Sequence, residues 1–270
     1  MGRPSLISPT KPRAANSFNF ELRSLPDAKS FRKVADEIHG SIDIDPLMCE
    51  LIDTPQFQRL RDIKQLGTTY LIYPSGNHSR FEHSIGVANL ARSMATSIRM
   101  KQPNLKTTSK DVLCVTLAGL LHDIGHGPFS HVFESFRDQI KEDIKKDPML
   151  ASRYEQYPQV PDEWSHERSS IFMIDAALGE LGLAIDFDHL DDPLEQIGSG
   201  VEAKSIRVFS SPSEKGDPTL TSRDWIFIKE CIYGKPIPEV VCRYGNVFIG
   251  REEKHKEWLY DVVSNRFTGR

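Results

Sequence analysis

Apolar positions along the chain fall into two rhythms, and the helical one dominates. From Phe81, apolar residues return at Ile85, Ala88, Ala91, Met94 and Ile98, one stripe of an α-helix. Val112–His122 is apolar nearly all round, which predicts a helix at the centre of the molecule rather than on its surface. Ser109-Lys110-Asp111 precedes it with residues that cap helices. Asp45-Pro46 opens a short helix over Asp45–Ile52, aspartate as N-cap and proline at the first helical position. Thr54-Pro55 repeats the device and predicts a helix over Gln56–Leu66, stopped by Gly67. Trp164–Gly182, Trp225–Tyr233 and Trp258–Asn265 carry further helical patterns. Period-two hints are confined to Val34–Ile44 and Thr69–Tyr73, which predict small strands. The expected fold class is mostly α with a few short β-strands.

Two stretches interrupt the rhythm. Arg137–Pro161 is densely charged and Asp186–Ser222 is rich in Asp, Ser, Gly and Pro, so 137–161 and 186–222 are expected to be loops or insertions. Residues 1–30 combine basic residues and prolines without an apolar core, which reads as a disordered tail and not a secretory signal. Residues 31–270 then form one folded unit. No internal repeat is visible.

Composition narrows the picture only slightly. A net charge of -4 in 270 residues gives no global attraction to nucleic acid or to a membrane surface. No apolar run reaches the roughly 18 residues of a membrane span. Cys49, Cys114, Cys231 and Cys242 are widely spaced and form no Cys-x-x-Cys pair, which reads as reduced thiols in an intracellular protein.

The chemistry concentrates where the central apolar run ends, in Leu120-Leu121-His122-Asp123-Ile124-Gly125-His126-Gly127-Pro128-Phe129-Ser130-His131. Imidazole and carboxylate together suit Fe, Mn, Zn or Mg-like ions, according to ligand count. His83, in Arg80-Phe81-Glu82-His83-Ser84, supplies a third donor from a neighbouring helix. An isolated His-Asp pair is usually chance. Its Gly-rich break and the added histidines make His83, His122 and Asp123 the expected metal site. His126 and His131 are not needed as ligands, so they are expected to act on substrate, with helix-end packing as the competing reading. His166 divides evenly between a surface residue and a site residue. Arg80 offers a bidentate grip on a phosphate, in competition with an ordinary salt bridge. An Asp123 without its ion is a poorly compensated charge, so Asp123→Asn is expected to leave the fold intact or stabilise it. The run Asp53–Gly67 places Asp, Gln and Arg at one-turn spacing, a set of donors and acceptors that fits a purine edge. On chemistry alone a solvated amphipathic helix is the stronger reading of it.

Asp53–Gly67, Asn77–Gly86 and Asp111–His131 closely resemble the catalytic core of the SAM-and-HD-domain deoxynucleoside triphosphate triphosphohydrolases. Lys33–Gly40, Trp164–Glu167, Phe227–Glu230 and Leu259–Asn265 add weaker blocks in the same order, so the resemblance spans about residues 32–265. It implies an HD-domain helical bundle that hydrolyses a dNTP to a deoxynucleoside and triphosphate. It also implies GTP or dGTP as activator, a homo-oligomer (dimer or tetramer), and residence in the nucleus in preference to the cytoplasm. Carried over by motif, His83, His122 and Asp123 are metal ligands, while Gln65 and Arg80 contact the substrate sugar and phosphate. His126, His131 and His166 match the catalytic and phosphate-binding histidines. Asp53, Gln58 and Arg61 match the residues that read the activating guanine, and Lys33 matches a phosphate contact of that regulatory site.

Three departures stand against this resemblance. No SAM domain is expected ahead of the core. Glu134 replaces an aspartate and is expected to orient His131 with a longer arm. After Val263-Ser264-Asn265 the family continues into a segment with the last metal ligand, a lysine and a tyrosine, whereas here Arg266–Arg270 follows. The resulting expectation is a core with three protein ligands. The alternatives are a catalytically impaired nucleotide-binding or oligomer-regulating protein and a different HD-type nucleotide phosphohydrolase.

Overall fold

The computed structural model describes residues 32–154, 164–196 and 220–264. The expected tail at 1–30 and most of the loop expected at 186–222 lie outside those residues. The chain enters as an antiparallel hairpin, β1 (Arg32–Asp36) and β2 (Gly40–Ile44), paired Arg32 to Ile44 through Asp36 to Gly40. Gly40 turns it with φ +72, a conformation that a side chain resists. The strands expected within Val34–Ile44 are this hairpin. Next come α1 (Pro46–Ile52), α2 (Pro55–Gln58), α3 (Arg80–Lys101), α4 (Ser109–Leu121) and α5 (His131–Lys146). After them lie α6 (Pro148–Tyr154), α7 (His166–Glu180), α8 (Ser222–Tyr233) and α9 (Pro238–Tyr244). Two-residue strands β3 (Leu183–Ala184) and β4 (Glu195–Gln196) pair antiparallel after α7. The molecule is thus mostly helical with a few short strands.

Capping chemistry sets the helix starts. The Asp45 carboxylate accepts from Met48 N at 3.0 Å, and Pro46 occupies the first turn of α1. Reciprocal capping boxes open three helices: Ser79 with Glu82 on α3, Thr108 with Asp111 on α4, and Thr221 with Asp224 on α8. Helix α4 is buried from Cys114 through Leu121 and forms the centre against which α3 and α8 pack, with α7 packed in turn on α8. Each of Leu117, Leu120 and Leu121 is fully buried, worth about 1.5–3 kcal/mol apiece. Small residues bring α3 and α4 together. A side chain at Gly119 would lie 3.2 Å from Ala91 Cβ, so the two backbones approach closely only because that position is bare.

Four expectations are corrected. The helix predicted over Gln56–Leu66 ends at Gln58 and continues as a 3₁₀ turn over Arg59–Asp62. Thr69–Tyr73 is a 3₁₀ turn over Thr69–Leu71 and not a strand, closed between Gly67, at φ +57, and Gly76. Arg137–Pro161 is helical in α5 and α6 wherever it is described, save for extended Asp147 between them. Its polar side chains pair one turn apart, the Gln139 amide donating to Asp143 at 2.9 Å and Lys145 to Glu142 at 2.9 Å, so the polar, charged composition there supports a helix. Trp258–Asn265 forms a 3₁₀ helix over Lys254–Asp261, while Asn265 lies outside the described residues.

Candidate metal centre and histidine cluster

Helix α3 and the end of α4 bring the metal-type donors together. The Ser79–Glu82 box starts α3 so that Arg80 and His83, three residues apart, share one face of its first turn. His122 ends α4, and its Nδ1 lies 2.8 Å from Gly119 O. A carbonyl only accepts, so Nδ1 donates there and Nε2 is turned toward Asp123, the kind of contact that orients imidazole ligands. Asp123 follows. His83 Nε2 lies 3.4 Å from one of its oxygens, and His122 Nε2 and His126 Nε2 each lie 3.3 Å from the other. One oxygen of Asp123 also takes a short contact from Arg80 Nη1. Burial works against the Asp123 charge, but His122, His126 and Arg80 outweigh it and hold its carboxyl well below the usual range. His83 is lowered to about 4 by burial and then by His122, so at neutral pH its imidazole is uncharged, the form that binds a metal.

The donor set fits a metal. His83, His122 and Asp123 present mixed nitrogen and oxygen donors close enough to share one ion, at a helix C-terminus whose carbonyl dipoles favour positive charge. Burial around them leaves polar atoms unmatched: Nδ1 of His126 and Nη2 of Arg80 lack a hydrogen-bond partner.

The turn that carries Asp123 and His126 is clamped from two sides. Ser170 of α7 accepts from Gly125 N at 3.0 Å and donates to His122 O at 2.7 Å. Arg59 donates to Ile124 O at 2.9 Å and to His126 O at 2.7 Å. A side chain on Gly125 would fall 2.1 Å from Ser170 N, so this position has room only for hydrogen.

Beyond the turn, His126, His131, Glu134 and His166 form a second group. The rings of His126 and His166 stack at 4.0 Å, and His131 meets each edge-on, at 4.9 Å and 5.3 Å. His126 is buried and lowered to about 4, mainly by burial, whereas His131 stays exposed at the rim. Glu134 corrects an expectation. Its carboxylate accepts from His166 Nδ1 at 2.7 Å and sits 3.8 Å from His131, so the longer arm serves His166. That contact draws His166 from the surface reading into the site. Ser130, just before His131, has φ +59 and links Arg80 Nε (2.8 Å) to Lys64 O (2.6 Å). A strained residue held by two such bonds is over-determined by its surroundings.

Arg80 is 1% exposed and already engaged with Asp123 and Ser130, so only Nη2 remains for a phosphate. Its engagement also reverses the expectation for Asp123→Asn: the aspartate compensates a buried guanidinium, and losing the charge costs stability. Gln65 lies beside Lys64, whose segment pairs with Ser79 at the start of α3, and Gln65 Oε1 is buried without a partner.

Asp53, Gln58 and Arg61 are brought together on the α1–α2 connection and the 3₁₀ turn. Arg61 Nε donates to Gln58 Oε1 at 2.9 Å and its guanidinium lies 3.6 Å over the Phe81 ring. Asp53 holds Arg32 through two bonds of 2.8 Å. Lys33, next along β1, points the other way and pairs with Asp43 at 3.7 Å. Sequence reasoning missed Arg59, Ser130 and Ser170, and among them only Ser130, beside a histidine in a Gly-Pro break, left a signal.

Residues 80–163 match the HD domain family. The likeness to that domain runs from the start of α3 past the end of α6. Within it, α3 and the end of α4 deliver His83 and the His122-Asp123 pair and α5 delivers His131, whereas α7 with His166 follows the matched stretch. Over 236 residues the chain is 38% identical to deoxynucleoside triphosphate triphosphohydrolase SAMHD1 of Gallus gallus, covering 87% of this chain and 31% of that protein. The SAMHD1 of Homo sapiens is 35% identical over 244 residues, covering 89% and 31%. A SAMHD1 homolog of Dictyostelium discoideum is 44% identical over 140 residues, covering 52% and 27%. The chain spans about a third of the length of the curated relatives it matches. Among the described residues no helix is long and apolar enough to cross a membrane.

Proposed function

We propose that this HD domain is a metal-dependent dNTP triphosphohydrolase. Water adds to the α-phosphorus, the bond from phosphorus to the 5′-oxygen breaks, and the products are a deoxynucleoside and inorganic triphosphate. The observation that carries the reading is the convergence of His83, His122 and Asp123 beside a separate cluster of three histidines on the same turn and its neighbours. An ion held by His83, His122 and Asp123 would supply charge stabilisation for the phosphate and an acidified water. The chain's own groups do the rest. His131, at the exposed rim, delivers the proton that the departing 5′-oxygen needs. His166, held by Glu134, and buried His126 face the phosphate, and Nη2 of Arg80 donates to it. Gln65, with its unmatched Oε1, accepts from the sugar hydroxyl.

The same proposal includes a guanine-nucleotide site at Asp53, Gln58 and Arg61, with Lys33 toward the phosphates, in a homo-oligomeric protein of the nucleus. Arg32 presents two parallel N–H donors to Asp53, the pattern a guanine edge presents, so Arg32 and the base compete for one carboxylate.

A second reading, a nucleotide-binding protein without turnover, rests on one observation. Among the described residues three donors converge, and Arg80 already compensates Asp123. The test is chromatography of reactions containing dGTP, Mg²⁺ and GTP beside elemental analysis of the purified chain. Deoxyguanosine with triphosphate is expected. Release of dGMP with pyrophosphate overturns the reaction, and stoichiometric metal without turnover favours the second reading.

A further inference from the structure

We propose that Arg59 is a positioning residue that ties guanine reading to the metal-bearing turn, an inference that rests on the regulatory site proposed above. Arg59 lies between Gln58 and Arg61 in sequence and opens the 3₁₀ turn Arg59–Asp62. Its guanidinium reaches away from that strip to two carbonyls of the His-Asp turn, Ile124 O at 2.9 Å and His126 O at 2.7 Å. These carbonyls flank Gly125 and follow Asp123 directly, so a shift of Arg59 moves the backbone from which Asp123 and His126 project. Burial lowers the Arg59 pKa from its ordinary value, consistent with a guanidinium held inside the protein for these two acceptors.

The strip has a reason to shift. The Gln58 amide is closed at both ends, donating to Ile52 O at 2.7 Å and accepting from Arg61 at 2.9 Å. Arg61 is seated on Phe81, one residue after Arg80. A base that takes donors and acceptors from Gln58 and Arg61 must open those bonds, and the residue between them moves along. Short 3₁₀ turns hold weaker internal hydrogen bonds than α-helices and accommodate such motion. The opposite side of the metal-bearing turn is fixed to α7 through Ser170, so displacement is concentrated where Arg59 holds it.

Coupling between sites is reciprocal, which supplies the test. Co²⁺ affinity and the visible Co²⁺ spectrum are measured with and without GTP for wild type, Arg59→Gln and Arg59→Lys, alongside direct titration of labelled GTP. In the wild type, GTP changes Co²⁺ affinity by about 5-fold or more and alters the spectrum. In Arg59→Gln the affinity ratio falls to within about twofold of one, while the variant still binds GTP; Arg59→Lys, which keeps the charge and reaches one carbonyl, lies between and covers the case in which the glutamine variant does not fold. An unchanged ratio in both variants overturns the role of Arg59, as does a wild type that binds GTP without any response at Co²⁺. A wild type that does not bind GTP removes the regulatory site itself and with it this inference.

Discussion

The two ends of helix α4 each bury a carboxylate against an arginine, and they differ in how completely that carboxylate is matched. At the N-terminal end, Asp111 accepts from Thr108 N at 2.9 Å, Arg251 Nε at 2.7 Å and Lys256 Nζ at 3.1 Å. Arg251 continues to Asp224 at 2.7 Å, so one guanidinium joins the third residues of two capping boxes. Burial alone would raise the Asp111 carboxyl, but Arg251, Thr108 N–H and Lys256 hold it below its ordinary value. At the C-terminal end, Asp123 meets one guanidinium, and three imidazoles at 3.3–3.4 Å, and the atoms around it include the unpartnered Nδ1 of His126 and Nη2 of Arg80. The first end is a saturated ionic tie between α4, α8 and the chain's last described segment. The second has donors to spare. Unmatched buried polar atoms beside a low-pKa carboxylate mark a place built to take a ligand, whereas full saturation marks structure.

Substitution at each end sharpens this contrast. Asp123→Asn is expected to lower turnover by about 10³-fold or more, because several kcal/mol of charge stabilisation leave with the anionic ligand. Thermal melts complete the test: Mn²⁺ raises the wild-type midpoint and not that of the variant, and EDTA abolishes the rise. Equal shifts in both proteins refute the three-residue site. The variant is also less stable than the metal-free wild type, since Arg80 stays buried without its partner.

Asp111→Asn acts at the saturated end. It retains an acceptor for Thr108 N but removes the charge that Arg251 and Lys256 share, and a loss of about 3–5 kcal/mol is expected in denaturant titration. Metal content per folded molecule stays at the wild-type value. If metal is lost while stability holds, the two ends are not distinct in kind.

The smallest effect belongs to the hairpin. Arg32 and Asp53 are each about half exposed, so their pair is worth about 0.2–1 kcal/mol, and Arg32→Ala is expected to tighten GTP binding by that margin, up to about fivefold. Weaker binding by fluorescence titration shows that Arg32 assists the nucleotide and does not compete with it.

Much of this architecture was legible because it depends on local rules. The Asp45-Pro46 start, the α3 stripe and the all-round apolar run of α4 each follow from residues within a few positions of one another. The histidines and Asp123 were legible through spacing. What escaped depends on reach across the fold. Arg59 looks like one more polar residue of a solvated strip until its guanidinium is seen on carbonyls 65 and 67 positions away. Ser170 sits mid-helix without a chemical signature. Glu134 changes partner because one added methylene brings its carboxylate to His166. The charges of α5 were misread because polarity is shared by loops and by exposed helices, and only pairing one turn apart tells them apart.

Gly125 keeps an ordinary backbone conformation, so space alone requires glycine there, and the space belongs to α7. Inheritance therefore acts on this turn through two independent filters, one for chemistry and one for packing. A change at His122 alters the donor set and leaves the space of α7 untouched, whereas a change at Asp123 is also felt by buried Arg80. Descendants in which the glycine has gone have rebuilt the helix contact first.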